Sequence, residues 1–136
     1  MKRFFLTLAL VAALPAMAST TLFSKYEAVR QGFLKSSLKD VQSSAAQLAT
    51  EASKAKNTAV ATHAKAVATS TDLAKAKASF AKLSDEMIKV QKASAKGQRP
   101  AVYYCSMVKK SWLQTKGKVG NPYDASMQMC GELKSE

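Results

Sequence analysis

The sequence predicts a mainly α fold: a small three- to four-helix bundle carrying a short C-terminal β element. Three observations predict it. Between residues 20 and 96 the large apolar side chains recur at spacings of three and four, the period of a helix face. Alanine, lysine and serine fill the positions between them, and Gly32 is the only glycine there. After Pro100 the composition changes. Residues 102–134 hold both cysteines, the only tryptophan, three of the six methionines and three of the five glycines.

The first helical segment places Leu22, Tyr26, Val29 and Phe33 on one face. Ser36 and Ser37 interrupt it, and "SLKD" (Ser37 to Asp40) has the form of a capping box that opens a second helix. The second face is Leu38, Val41, Ala45, Leu48 and Ala52. Asn57 and Thr58 mark a break and a new cap, followed by a shorter helix with Val60, His63, Ala64 and Val67 on its apolar side. Ser70 or Thr71 is expected to cap a fourth helix, with Asp72 in its first turn, where negative charge meets the positive end of the dipole. Its stripe is Leu73, Ala76, Phe80, Leu83, Met87 and Val90, and Gly97 and Pro100 bring it to an end.

"AVYYCSM" alternates and is rich in β-formers, which predicts a short strand. "SWL" is expected to form a second strand after a turn at "VKK". "TKGKVGNPYD" reads as loop, and "MQMCGELK" as a final strand or a turn. The helices are rich in alanine and bury little area per contact, so their core is thin. The aromatics Tyr103, Tyr104, Trp112 and Tyr123 are expected to pack on them and supply the missing bulk.

At the N-terminus, Lys2 and Arg3 precede an apolar run from Phe4 to Leu14, then Pro15 and the small-residue pattern Ala16-Met17-Ala18. This is the form of a secretory signal peptide over residues 1–18, cleaved after Ala18. The apolar run is too short for a permanent membrane span. The expected mature protein is periplasmic, a single helical domain over residues 19–136. The formal charge is +12 for the whole chain. Export and the spread of lysines along helices argue against a nucleic-acid partner. A solvated helix surface, an anionic surface or an acidic partner protein accounts for the charge.

Cys105 and Cys130 are even in number in an exported chain, which points to a disulfide closing a loop of about 25 residues. The same residues admit a second reading. Cys105 and Met107 share a face if the strand continues, and a helical turn brings Met127 to Cys130. Thiolates and thioethers select soft ions such as copper(I). His63, Cys105, Met107, Met127 and Cys130 therefore form a candidate metal set, with Met129 a spare thioether. A mixed case keeps the disulfide and binds metal through Met and His. One histidine, no clustered carboxylates and no Gly-rich phosphate loop leave little for catalysis, so no enzyme is expected.

The C-terminal segment also resembles a bacterial family, domain of unknown function 3347. The resemblance rests on Cys105-Ser106-Met107, Trp112-Leu113, Asn121-Pro122-Tyr123 and Met127-Gln128-Met129-Cys130-Gly131, in that order. Upstream, His63 and Phe80-Ala81-Lys82-Leu83-Ser84 are similar to a His-bearing helix and a Phe-x-x-Leu-Ser element of the family. It covers most of the mature chain. Some members are attached to periplasmic adaptors of heavy-metal efflux pumps. The resemblance thus implies copper or silver handling with a metal-efflux or periplasmic partner protein, and the Cys, Met and His positions as ligands. Ser106 replaces the family's proline. Asp124 and Ala125 stand where it often has an aromatic and a glycine.

Two functions follow. One is a small periplasmic protein that holds or senses copper(I) or silver(I) through those five residues. The other is a non-enzymatic interaction module, with a Cys105–Cys130 staple and a basic docking surface.

Overall fold

The computed structural model describes the backbone of residues 14–97 and 99–136, and side chains from residue 18 onward except that of Gln98. The signal-peptide reading falls mostly on residues 1–13, outside the described residues. Four helices run in order: α1 Leu14–Leu34, α2 Leu38–Lys54, α3 Thr58–Ala68 and α4 Leu73–Ala93. Three strands follow: β1 Ala101–Cys105, β2 Lys110–Gln114 and β3 Glu132–Ser135. A 3-10 turn at Ala125–Met127 precedes β3. Helix α1 therefore runs through the expected cleavage point. Among the described residues no helix is long and apolar enough to cross a membrane.

Helix ends are set locally. Ser37 Oγ accepts from Asp40 N at 3.2 Å, Asn57 Oδ1 from Val60 N at 3.1 Å, and Asp72 Oδ1 from Lys75 N at 2.8 Å. Each satisfies a backbone donor that the first turn leaves free. Asp72 is thus the cap itself, and not a first-turn residue behind Ser70 or Thr71. Its side chain reaches the third N–H of the helix, and Ser70 instead donates back to Ala66 O at 2.8 Å. Helices α1 and α2 stop in the same way. Ser36 and Lys56 take left-handed φ of 53° and 57°. The following residues donate back across the turn, Ser37 N to Gly32 O at 3.0 Å and Asn57 N to Ala52 O at 2.9 Å. Gly32 has a packing reason to be glycine: a Cβ there would lie 2.9 Å from Val41 N on α2.

The helices follow one another as antiparallel neighbours, α1 on α2, α2 on α3, α3 on α4, and α4 carries the sheet through β2. The sheet is antiparallel with order β2-β1-β3. Tyr103 faces Trp112 across one ladder and Leu133 across the other. A bulge between Val102 and Tyr103 shifts the second register.

One hydrophobic core joins all four helices to the sheet. The expected α1 face, Leu22, Tyr26, Val29 and Phe33, is buried throughout. The α2 and α3 contacts are mostly small: Ala45, Ala49, Ala52, Ala61 and Ala64 with Val41, Leu48, Val60 and Val67. The α1–α4–sheet side is aromatic. Phe80 lies 5.0 Å from Tyr26, 4.9 Å from Phe33 and 5.8 Å from Tyr123 between ring centroids. Trp112 continues the chain to Tyr123 at 6.2 Å and to Tyr103 at 6.0 Å. These separations suit aromatic pairing. Tyr103, Trp112 and Tyr123 supply the bulk expected of them, while Tyr104 is half-buried.

Candidate functional site

The C-terminal segment is shaped by one covalent bond and a set of buried polar anchors. Cys105 closes β1 and Cys130 stands two residues before β3. They form a disulfide with Cα atoms 5.3 Å apart, inside the range a disulfide spans. The bond ties the end of the central strand to the turn that leads into its edge partner.

After β2 the chain leaves the sheet until β3, so the buried polar groups of that stretch need partners elsewhere. Gln114 supplies several. Its Oε1 accepts from Trp112 Nε1 at 2.9 Å and from Gly120 N at 3.0 Å, and its Nε2 donates to Lys118 O at 2.9 Å. Asn121 organises the next turn. Its Oδ1 accepts from Tyr123 N at 2.9 Å, and its N–H donates to Gln128 O at 2.8 Å. Gly131 lies against the Trp112 ring, where a Cβ would meet Cη2 at 2.7 Å. The glycine is required there by close approach.

Three contacts fasten this segment to the helices. Buried Arg30, ion-paired with Glu27, donates from Nη1 to Gly120 O at 2.6 Å. Gln128 Nε2 donates to Leu34 O at 3.1 Å. Tyr26, Ser84 and Tyr123 share a buried hydroxyl cluster. Tyr26 and Ser84 hydroxyls are 2.7 Å apart, Tyr123 donates to Ser111 O at 2.8 Å, and Leu113 N donates to Tyr26 Oη at 3.1 Å. Burial pushes both phenol pKa values well above their ordinary range, so both stay neutral donors.

The five candidate metal residues are distributed unevenly. Cys105 and Cys130 are joined to each other, so neither is a thiolate. Met127 ends the 3-10 turn, and Cys130 N donates to its carbonyl at 2.9 Å, which is the local turn expected for that pair. Met107 departs from expectation. The strand stops at Cys105, because residues 106–109 turn back with Lys109 at a φ of 55°. The Met107 side chain is 71% exposed and does not share a strand face with Cys105. Met129 is 64% exposed. His63 is half-buried on α3, which packs on α2 and α4. The buried face there is Val60, Ala61, Ala64 and Val67, with His63 at its edge. Among the described residues no three of His, Cys, Asp and Glu converge as a metal-holding group. The donors of the set left in this state are the thioethers and the His63 imidazole.

Sequence reasoning missed Gln114 and Arg30, and it named Asn121 only within the Asn121-Pro122-Tyr123 element, without its role in the turn. Gln114 ends β2 and turns its amide onto the loop that follows, and only the position of Gly120 beside α1 reveals why Arg30 is buried. The Asp124-Ala125 departure has a simple outcome. Asp124 adopts an extended φ of −142° and caps the 3-10 turn through Ser126 N, so no glycine is needed at either position. No family model, curated protein or solved structure matches the chain.

Proposed function

We propose that the protein is a non-enzymatic interaction module that works outside the cytoplasm. Cys105–Cys130 is its structural crosslink, and its lysine-rich helices form the docking surface for an anionic partner. The observation that carries this reading is the closed disulfide between β1 and the approach to β3. Disulfides persist in oxidising compartments, which supports the exported, periplasmic location that the N-terminal sequence suggests. The described ion pairs leave many lysines without a carboxylate, among them Lys82 and Lys92 on α4. Attraction between such a surface and an acidic partner is screened by salt over about 8 Å at physiological ionic strength.

A second reading is favoured by the sulfur around the crosslink. Met107, Met127 and Met129 all lie within three residues of one of its cysteines, and two of them are largely exposed. Thioethers are soft donors for copper(I) or silver(I), and reduction would add two thiolates. The resemblance to domain of unknown function 3347 points the same way, toward a metal-efflux partner.

One preparation tests both. The protein is purified from the periplasm, its free thiols are counted, and copper(I) is titrated against a competing chelator. A quantitative disulfide, no measurable copper(I) binding and salt-sensitive retention on anionic vesicles or an acidic protein are expected for the module. Two free thiols and tight binding weakened by both Cys105→Ser and Met127→Leu would replace it with the metal reading.

A further inference from the structure

Strand β3 is an edge. The sheet order β2-β1-β3 leaves its outer side without a neighbouring strand, and all four of its residues, Glu132 to Ser135, are exposed. An edge presents a row of backbone N–H and C=O groups that a further strand can pair. This edge is also held at both ends. The Cys105–Cys130 disulfide and the seat of Gly131 against Trp112 fix its start, and Lys116 Nζ meets Glu136 Oε2 at 2.8 Å just past its end. A strand held in this way loses little freedom on pairing.

The apolar surface points to the same region. Among the described residues the large apolar side chains exposed to solvent are Met107, Met129 and Leu133, and all three belong to the C-terminal segment. Leu133 lies within β3 itself, and Met129 stands beside the cysteine that leads into it.

The charges of β3 say what fits it. Glu132 and Lys134 flank Leu133. When two copies of β3 run antiparallel with Leu133 opposite Leu133, Glu132 of each copy lies across from Lys134 of the other. The strand is complementary to itself about a two-fold axis, the symmetry of most dimers. A shift of two residues in either direction sets like charges opposite each other, so only this register is favoured. A lysine on an edge normally discourages pairing with other chains, and Glu132 removes that repulsion for a second copy. Within one chain Lys134 Nζ already lies 2.8 Å from Glu132 Oε2, but both side chains are about half or more exposed, and such a pair contributes little. In the two-fold register the four charges alternate in sign.

We propose that the protein self-associates through β3, two three-stranded sheets joining into one continuous antiparallel sheet about an axis at Leu133. Lys134 falls at the bulge and takes no partner on β1, so the contact is short. It buries well under the roughly 1,200 Å² of a stable interface, which makes the dimer weak and concentration-dependent. The formal charge of +12 opposes association at a distance, and the alternating charges offset it only at contact. This surface is separate from the lysine-rich helices and does not rest on the anionic-partner reading.

The test is sedimentation equilibrium of the purified, disulfide-intact protein over roughly 10 μM to 1 mM, where monomer should pass to dimer. Lys134→Glu and Glu132→Lys should each weaken the dimer roughly tenfold, because each sets two like-charge pairs across the axis. A net-charge effect alone would move the two variants in opposite directions, since one lowers and the other raises the positive charge. An equimolar mixture of the two variants should restore association, and so should the double exchange of Glu132→Lys with Lys134→Glu. A monomer throughout the range would overturn the proposal and leave the edge to a strand of another protein. A dimer that either single variant leaves intact, or a double exchange no tighter than the singles, would place the interface elsewhere and overturn it as well.

Discussion

The two halves of the core are held by different means. The α2–α3 half meets through alanine and valine, and its helices are punctuated by local caps at Ser37 and Asn57. The α1–α4–sheet half meets through Tyr26, Phe33, Phe80, Tyr103, Trp112 and Tyr123, with a hydroxyl cluster, a buried arginine and a disulfide. Small side chains let backbones approach but bury little area each, whereas an aromatic ring removes much more apolar surface from water. The chain thus builds one side from local order and the other from long-range anchors. The C-terminal segment has almost no regular structure between Gln114 and Glu132, and it is the part that needs the covalent bond.

Phe80→Ala is the severest way to probe this contrast. The ring touches three other aromatics at the centre of the second half, and its loss should cost about 3–5 kcal/mol in urea denaturation. A cost near that of a single methyl group would mean the aromatic half is not the main store of stability.

Next comes the crosslink. Replacing both cysteines by serine removes a bridge of sequence separation 25, worth on the order of 3 kcal/mol. Hydrogen exchange should then rise mainly in residues 106–135, while α2 and α3 keep their protection. Uniform loss of protection across the chain would erase the distinction between the halves.

Ala64→Gly probes the other half. Ala64 is fully buried in the middle of α3, and glycine there should cost about 1 kcal/mol through backbone entropy, with a further loss of packing. A calorimetric shift as large as that for Phe80→Ala would show that the alanine contacts carry more than their area suggests.

The smallest effect is electrostatic. The hydrogen bond from Lys75 N holds the exposed Asp72 carboxyl below its usual 3.8. A group depressed in the folded state adds stability above its unfolded pKa, and that stability is lost as pH falls through the lower folded value. Asp72→Asn keeps a capping oxygen, so it should flatten the acid limb of the stability curve below about pH 4 and change little at pH 7. An unaltered acid limb would assign acid sensitivity elsewhere.

Much of the helical half was legible before any coordinates. Periodicity found the buried faces because a helix repeats every 3.6 residues whatever it packs against. Capping residues found the breaks because their partners lie three residues away. Legibility fell where partners are distant. Ser84 stood only as the last residue of a Phe-x-x-Leu-Ser element, and its burial is explained by Tyr26, 58 positions away. Gln91 followed Val90 as an ordinary polar residue, and only the approach of Pro100 and β2 leaves its oxygen enclosed. Met107 was placed on a strand face because alternation cannot say where a strand stops, and the turn at Lys109 decides that.

The sequence by itself determined the order of the four helices and the first two strands, the thinness of the helical core and the two possible uses of its sulfur. These depend on side-chain size, local hydrogen bonding and chain periodicity. Tertiary structure alone decided that Cys105 and Cys130 meet each other, that Met107 and Met129 face solvent, and that His63 lies at the edge of an α3 face packed on helices. It also decided that one glutamine oxygen is buried without a donor. Each of these outcomes depends on which distant segment arrives beside a residue, and no local pattern encodes that arrival.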